Sequence, residues 1–551
     1  MRKTRFRIVV ITSFLMMILF AVNGQNPNNI AKWITTQSRS SVTNPDLYKL
    51  AAPTRSVPTL KEGHFLEINN NTLASLLVDN PVMIEINLPV NAHETVKLLL
   101  AKVEVTAPDF ILSTKGNENK SINYEQGIHY RGIIEGDNQS VAALSFFNNE
   151  VSGFYSSSKG DYTIGKIKNE TDLYAVYNEK LEPHPAFNCF SESLDNRFER
   201  PTASDERGVA CKVVKVYFEC DYKMYQDKGS NVDNVTNYVT AFFNQVATLY
   251  QNENIDIQIS QIVVWNTPDP YANLNSTSAV LNAFLSTTGP NFNGDVAHFL
   301  TTRNLGGGIA YVDVLCVKAY AFGVSAIYNT YSNVPTFSWT IECVTHELGH
   351  NLGSPHTQSC TWPGGAIDNC YTTEGGCAPG PPPVNGGTIM SYCHLTNYGI
   401  NFNNGFGPLP GNKIRTEVTN AGCLAQNGVV PTGLTTTNIT SNGATLNWGA
   451  VPNTTEYTIQ YKLATATAWI TAGTSATNAY NLTGLAANSN YQWKVKTSCS
   501  DYSTIASFTT VSGTSCSVPT NLQTSSITSS SAIVSWPAVS GASNYTVQYK
   551  L

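Results

Sequence analysis

The feature that most constrains the fold of this chain is the short segment at residues 346–356. If the segment begins as a helix, His346 and His350 lie on one face, about one turn apart, and both imidazoles can reach one cation. Gly353 stands where the helix must end, because a sharp reversal of the chain needs a residue that tolerates positive φ. The reversal brings His356 back as a third ligand, and three histidines leave one position of a tetrahedral metal open.

Glu347 directly follows the first histidine of this pattern. A carboxylate beside an open metal position can act as a general base, because the metal lowers the pKa of a bound water toward neutrality. Zinc is the predicted metal, since it is commonly held by three protein ligands in catalytic sites. The alternative is a surface helix that carries these residues by coincidence, although five fixed positions rarely coincide.

The pattern His-Glu-x-x-His-x-x-Gly-x-x-His resembles the signature of the metzincin zinc proteases. The resemblance implies a methionine turn downstream, and residues 387–394 supply one at Met390. Met390 is then expected to support the three imidazoles from below without binding the metal. Tyr392 resembles a tyrosine that stabilises the oxyanion in astacins and serralysins, and the alternative is a packed turn tyrosine. Thr357 stands where reprolysins usually have aspartate. This difference bears on the assignment to the reprolysin subfamily more than on the prediction of peptidase activity.

Length and composition predict a multidomain, exported protein. The chain has 551 residues, too many for one core, and its 13% charged residues and net charge of −6 do not indicate a nucleic-acid binder. Residues 1–24 combine basic residues, an apolar run and small residues, as in a secretory signal peptide; a membrane anchor is the alternative. We therefore expect a secreted, extracellular protein with no membrane insertion after cleavage.

The cysteines support an oxidising compartment. There are twelve, and nine lie between Cys211 and Cys423, so at least one of the nine pairs outside that stretch or stays free. One or two disulfides are predicted within the long loop between His356 and Met390 and just beyond it. The cysteines of this loop group are Cys360, Cys370, Cys377 and Cys393. A second metal site built from the same four is the alternative.

Residues 25–207 predict a β-rich propeptide. Apolar and polar residues alternate at 65–68, 82–88 and 141–146, as in strands. Residues 129–136 and the two runs that follow them resemble the propeptide of reprolysin (adamalysin-like) proteases, which implies a zymogen. Cys189 has two open interpretations: a thiolate that fills the open zinc position of the precursor, or a disulfide partner of a downstream cysteine.

Residues 208–424 predict an α/β catalytic domain with a mixed sheet. Strands are expected at 213–219, 255–264 and 295–301, and helices at 232–250, 278–286 and from about 338. His298 lies among apolar neighbours in the last of these strands, and we interpret it as structural.

The glycine-rich run at residues 306–316 resembles the reprolysin strand above the cleft, at the sheet edge just before the zinc helix. The resemblance implies that its unpaired main chain binds an extended peptide as an added strand. The residues implied are Gly308, Ile309, Ala310 and Tyr311. A simple glycine turn is the alternative.

After Cys423 an internal repeat begins. Residues 431–463 and 519–551 align without a gap and pair Trp448 with Trp536 and Tyr457 with Tyr545. Both copies resemble fibronectin type III modules, which are all-β sandwiches. The expected boundaries are 430–512 for one module and 516–551 for an incomplete second one. Because a half-sandwich exposes its core, we expect the natural chain to continue.

These patterns together predict a secreted zinc metalloendopeptidase, made as a zymogen, that hydrolyses internal peptide bonds with Glu347 as general base. Its partners are protein or peptide substrates, with no nucleic acid, and its modules can bind matrix or surface polymers. Calcium is compatible with the chain, but no residues are assigned to it. The alternative function is an inactive adhesion or substrate-binding protein, although all three histidines and Glu347 are retained.

Overall fold

The computed structural model describes residues 28–37, 42–52, 60, 62–178, 190–193, 212–327, 338–424, 429–451, 454, 456–513, 517–542 and 544–550. These residues fall into two compact units, Met1–Asn427 and Gly428–Leu551. The predicted signal peptide at 1–24, Cys189 and the predicted boundary between propeptide and catalytic domain at 207–208 lie outside the described residues. Among the described residues, no helix combines the length and apolarity needed to cross a bilayer.

The N-terminal segment of the first unit is β-rich, as predicted. Its helices are α1 (Asn29–Thr36) and α2 (Asn70–Asp79). Its strands are β1 (Val42–Thr43), β2 (Tyr48–Leu50), β3 (Gly63–Ile68), β4 (Met83–Pro89), β5 (Thr95–Val103), β6 (Thr106–Thr114), β7 (Ile128–Ile134), β8 (Val141–Phe147), β9 (Glu150–Ser157), β10 (Gly160–Lys166), β11 (Leu173–Asn178) and β12 (Phe190–Ser193). Ten of them form one sheet in the order β1-β4-β5-β7-β8-β9-β10-β11-β3-β2.

The catalytic region that follows is an α/β domain. Its strands are β13 (Val213–Cys220), β14 (Asp256–Val264), β15 (Val296–Thr301), β16 (Gly308–Val312) and β17 (Phe322–Ala326). Its helices are α3 (Tyr222–Asp227), α4 (Val232–Asn252), α5 (Thr277–Thr288), α6 (Ser338–Asn351) and α7 (Pro408–Asn420), with short 3-10 turns at Cys393–Leu395 and Phe402–Asn404. The predicted helices and strands are confirmed to within a few residues. The sequence analysis missed α3 and β17, so β16 does not directly precede the metal-site helix as expected.

The sheet of the catalytic region includes two strands of the N-terminal segment. Its seven strands follow the order β12-β16-β17-β15-β13-β14-β6. Only β16 and β17 pair antiparallel, and the other neighbours are parallel. The mixed sheet is therefore confirmed, but both of its outermost strands come from the N-terminal segment. The main chain of β16, predicted to be unpaired, lies between β17 and β12.

Helix α4 is buried on its polar side as well as its apolar side. Asn231 caps its first turn by accepting a hydrogen bond from the amide of Asn234 at 3.0 Å. Asn244, on the polar side, donates to the carbonyls of Tyr130 and Leu144 at 3.2 and 3.1 Å, and so contacts the N-terminal sheet. Arg131 of β7, only 4% exposed, donates to the side-chain oxygen of Asn244 at 2.9 Å. The N-terminal segment and the catalytic region therefore share one continuous core.

Three disulfides join described cysteines of the catalytic region. They are Cys316–Cys423, Cys360–Cys377 and Cys370–Cys393. Two of them lie in the loop group, as predicted, and they leave none of those four sulfurs available as a thiolate. The alternative second metal site at the four cysteines is therefore wrong. Cys220 and Cys343 are buried and reduced.

The second unit contains a β-sandwich with its own core. Its first sheet holds β18 (Thr435–Thr437), β19 (Gly443–Asn447) and β22 (Ala479–Thr483). The second holds β20 (Tyr457–Leu463), β21 (Ile470–Ser475), β23 (Asn490–Thr497) and β24 (Ala506–Thr509). A separate two-stranded ladder follows, β25 (Gln523–Ser525) with β26 (Ile533–Ser535).

The internal repeat reappears as a repeated contact. In the first copy the Tyr457 hydroxyl accepts a hydrogen bond from the amide of Val451, in the turn after Trp448, at 2.8 Å. In the second copy the amide of Val539 donates to the Tyr545 hydroxyl at 2.7 Å. The two tyrosines also contact equivalent tryptophans edge-on. The same local geometry therefore forms twice along the chain.

Candidate active site

Helix α6 positions two of the predicted histidines. His346 and His350 are almost fully buried on it, and their ring centroids lie 4.7 Å apart. The loop after β16 secures the end of the helix, because the amide of Asp313 donates to the carbonyl of His350 at 2.9 Å. Gly353 follows with φ of +110°, a left-handed conformation that glycine adopts without steric cost. The helix therefore stops and the chain reverses where the sequence predicted.

The reversal brings His356 to the other two histidines. One ring nitrogen from each of the three lies within 4.8 Å of the others, and all three residues are buried. The Nε2 atoms of His350 and His356 are 3.0 Å apart. The Nε2 atom of His346 is buried without a hydrogen-bond partner. Such a convergence of buried nitrogens is the arrangement that a metal ion would satisfy.

Each imidazole is oriented through its other nitrogen. The Nδ1 atom of His346 lies 2.7 Å from the carbonyl of Ile389, and that of His350 lies 2.7 Å from the carbonyl of Ser354. Because a carbonyl can only accept, these Nδ1 atoms carry the hydrogen and donate it. The Nε2 lone pairs are thereby left for the centre of the site, as metal-binding histidines require.

The surroundings favour neutral imidazoles. Burial, followed by the neighbouring histidines, lowers the pKa of His346 and of His350 well below its ordinary value. Both rings are therefore neutral at physiological pH, and neutral imidazole is the form that binds a metal. Three buried imidazole donors fit Zn²⁺ with one position left for water or substrate.

Glu347 lies on α6 next to His346 and is fully buried. Strand β16 leaves space for its side chain at Gly308, where a Cβ atom would stand only 2.3 Å from the Glu347 Oε1 atom. A side chain at position 308 would therefore displace the Glu347 carboxylate from its place in the structure. The sequence predicts a substrate-binding role for Gly308 but does not reveal its close packing against Glu347.

The methionine turn packs directly against α6. Met390 is fully buried, and a Cβ atom on Gly349 would meet its sulfur at 2.7 Å. The neighbouring carbonyl, that of Ile389, is the one that orients His346. Tyr392, 5% exposed, contacts His356 edge-on with ring centroids 4.7 Å apart. The structure thus brings the predicted floor and the predicted tyrosine to the three histidines.

The four residues predicted to bind substrate, Gly308 to Tyr311, lie on β16, beside the site. Ile309, Ala310 and Tyr311 pair in parallel with Phe190, Ser191 and Glu192 of β12. On the other side, Gly308 pairs with Ser325 of β17.

His298 lies in β15, apart from the three convergent histidines, as a buried ring whose Nε2 atom is 2.8 Å from the Ser325 hydroxyl. Burial lowers its pKa to about 3. Its surroundings agree with the structural role expected from the sequence.

Sequence reasoning missed one polar contact at the site. The Nδ1 atom of His356 lies 2.8 Å from the Oε1 atom of Glu374. Glu374 belongs to the loop closed by the Cys360–Cys377 disulfide. The histidine pattern does not include Glu374 at a fixed spacing. The only sequence feature that pointed to it was its position between two cysteines of the loop.

Fold and site together define a metallopeptidase of the metzincin type. In agreement, residues 210–401 match the reprolysin-type model described as metallo-peptidase family M12, and residues 429–510 match the model of the fibronectin type III domain. Residues 210–401 are therefore a metallopeptidase region of the M12 type, and residues 429–510 are a fibronectin type III domain.

Three solved structures share limited similarity with the chain. One, described as a myokine structure, is 18% identical, with coverage of 15% of this chain and 96% of the other and a TM-score of 0.14. A crystal structure of domains from titin is 21% identical, with coverages of 15% and 32% and a TM-score of 0.14. A structure of titin kinase with its flanking domains is 21% identical, with coverages of 15% and 17% and a TM-score of 0.14.

Proposed function

We propose that this metalloprotease is a secreted, zinc-dependent endopeptidase that is made as a zymogen and cleaves internal peptide bonds of extracellular proteins. The observation that carries the proposal is the convergence of three buried histidine nitrogens within 4.8 Å, with Glu347 on the same helix. The match of residues 210–401 to a metallopeptidase family supports the same class of reaction.

The reaction follows from the roles we assign to the residues of the site. Zinc bound by His346, His350 and His356 would polarise the scissile carbonyl and lower the pKa of a bound water. Glu347 accepts a proton from the attacking water and delivers it to the leaving amine. The phenol of Tyr392 donates a hydrogen bond to the oxygen that becomes negatively charged.

Substrate is held along β16 in this proposal. Gly308, Ile309, Ala310 and Tyr311 would pair with an extended peptide through the main chain, which positions the scissile bond largely independently of side chains. The pairing of β12 with the same strand supports this role, since it demonstrates that an extended segment fits there.

The zymogen proposal rests on the same pairing. β12 belongs to the N-terminal segment and lies where substrate would bind, so activation would require its removal from β16. Cys189 directly precedes β12 in the sequence. For Cys189 we retain two hypotheses: it is a zinc-binding switch, or it is a disulfide partner.

Export is supported by the three disulfides, which persist in oxidising compartments. We propose residues 1–24 as the signal peptide, 25–207 as the propeptide and 208–424 as the catalytic domain. The fibronectin type III module at 430–512 and the partial copy at 516–551 are proposed to bind matrix or surface polymers.

The test of this function is the Glu347→Ala variant of the processed protein, assayed on a peptide library with mass spectrometric mapping of the cuts. We expect peptidase activity to fall by about four orders of magnitude, because one group serves as general base and general acid. Bound zinc, measured by metal analysis, should remain. The control is Asp233→Asn, which removes an exposed carboxylate on α4 and should leave activity unchanged.

Two outcomes would contradict the proposal. Activity that persists in Glu347→Ala would remove Glu347 from the chemistry. A wild-type protein that cuts no peptide, with or without a zinc chelator, would favour the inactive adhesion or substrate-binding protein instead.

A further inference from the structure

The three histidines of the site differ in what orients them. His346 and His350 each donate to a main-chain carbonyl, that of Ile389 and that of Ser354. His356 alone is oriented by a charged side chain, since its Nδ1 atom is 2.8 Å from Glu374. A carboxylate accepts a stronger hydrogen bond than a carbonyl, and it makes the imidazole a better electron-pair donor at Nε2.

Glu374 is held in place by a built network. Gln358, fully buried, donates from its side-chain amide to the Glu374 Oε1 atom at 3.1 Å. The Glu374 amide donates to the carbonyl of Gln358 at 3.0 Å, and the Glu374 carbonyl accepts from the amide of Cys360 at 2.8 Å. The Cys360–Cys377 disulfide then closes the loop around these contacts. Glu374 is therefore held in place through both its main chain and its side chain.

We propose that Glu374 is a positioning residue that strengthens metal binding by fixing and polarising His356. The role rests on the proposed binding of zinc by the three histidines. It differs from that of Glu347, which faces strand β16 at Gly308 and not the Nδ1 atom of a ligand. Because His356 stands outside α6, its ring lacks the support of a helix, and Glu374 supplies that support.

The decisive variant is Glu374→Gln in the full chain. Glutamine has the same size and keeps an oxygen that can accept from His356, but it loses the charge. We expect zinc to bind about tenfold more weakly, measured as the dissociation constant in competition with a chromophoric chelator. Glu374→Ala loses the acceptor as well, and we expect about a hundredfold weaker binding.

The readout must separate this role from simple damage to the loop. Formation of the Cys360–Cys377 disulfide, checked by mass spectrometry, shows that the loop has folded. Cobalt substitution gives a second readout, because loss of one histidine ligand changes the visible absorption of a tetrahedral site. Asp233→Asn is the control for loss of one carboxylate and should bind zinc as the wild type does.

The results separate the two proposals. If the wild type itself binds no zinc, the proposed function fails. If the wild type binds zinc and Glu374→Gln lies within about twofold of it, the role of Glu374 is wrong, whatever Glu374→Ala does. A weaker Glu374→Gln with its disulfide intact and a normal control supports the proposal.

Discussion

The two halves of the metal site are built in different ways. The helix half comprises His346, Glu347 and His350 on α6, and its imidazoles donate to main-chain carbonyls. The loop half comprises His356 and Glu374, which are joined by a charged hydrogen bond in a disulfide-closed loop. Helix geometry fixes the first half from spacing alone, whereas the second depends on contacts between residues distant in the sequence. The pattern therefore predicts the three histidines as ligands but does not predict the contacts that support them.

Within this comparison the largest effect is expected at Tyr392, whose ring contacts His356 of the loop half. Tyr392→Phe removes the phenol hydroxyl but keeps the ring against His356. If the hydroxyl stabilises the oxyanion, kcat should fall by about a hundredfold to a thousandfold with zinc content unchanged. Steady-state kinetics on one cleaved peptide gives the measurement.

Tyr371→Phe is the matched control, because Tyr371 contacts the Tyr392 ring at 4.9 Å and its side chain is largely exposed. It should leave kcat unchanged. An unchanged kcat/KM in Tyr392→Phe would make Tyr392 a packed turn residue, and catalysis would then depend on the helix half alone.

A second prediction tests the helix half through its neighbour strand. In Gly308→Ala the added methyl group meets the Glu347 carboxylate, whose flexible end must move. Displacement of a catalytic group by about 1 Å can cost about a hundredfold in rate, so we expect that loss in kcat/KM with zinc retained. Gly422→Ala is the control, since nothing lies within 4 Å of its added Cβ atom. Normal activity of Gly308→Ala would contradict the close packing of the carboxylate.

The smallest expected effect concerns the end of α6. Asn351 donates to the carbonyls of Tyr311 and Phe322 at 3.0 and 2.9 Å and so joins the helix to the sheet. Asn351→Ala leaves two buried carbonyls without this donor and should lower the free energy of unfolding by about 1–3 kcal/mol. Chemical denaturation of the processed protein measures it, with the exposed Asn282→Ala as control.

If Asn351→Ala unfolds like the wild type, the rigidity of the helix half does not come from this link. If Asn282→Ala is destabilised equally, the effect is not specific to the end of α6. A loss confined to Asn351→Ala supports the rigid helix half.

Much of the fold could be predicted because it depends on local patterns. Strands β13, β14 and β15 have strong apolar character, and the apolar stripe of α4 has helical spacing. The end of α6 was predictable from Gly353, since its left-handed backbone conformation is a local requirement.

The features that sequence reasoning missed depend on distant contacts. Alternation of apolar and polar residues is a local signal and does not reveal that β6 leaves the N-terminal sheet and pairs with β14. The apolar spacing of α4 accounts for one buried side of the helix, yet Asn244 on the other side lies buried beneath the N-terminal strands. Sequence spacing likewise does not distinguish Glu374 from other acidic loop residues, whereas the folded structure places it beside His356.

The placement of β6 beside β14 makes the order of synthesis important. During synthesis, β6 emerges from the ribosome well before its parallel partner β14. When β14 is made, a strand that it can pair with is therefore already present. A recombinant chain that starts at residue 212 would have to fold with β14 as an open edge, and open edges promote aggregation. Production of the protease should therefore begin with the N-terminal segment attached, or with that segment supplied in the same cell.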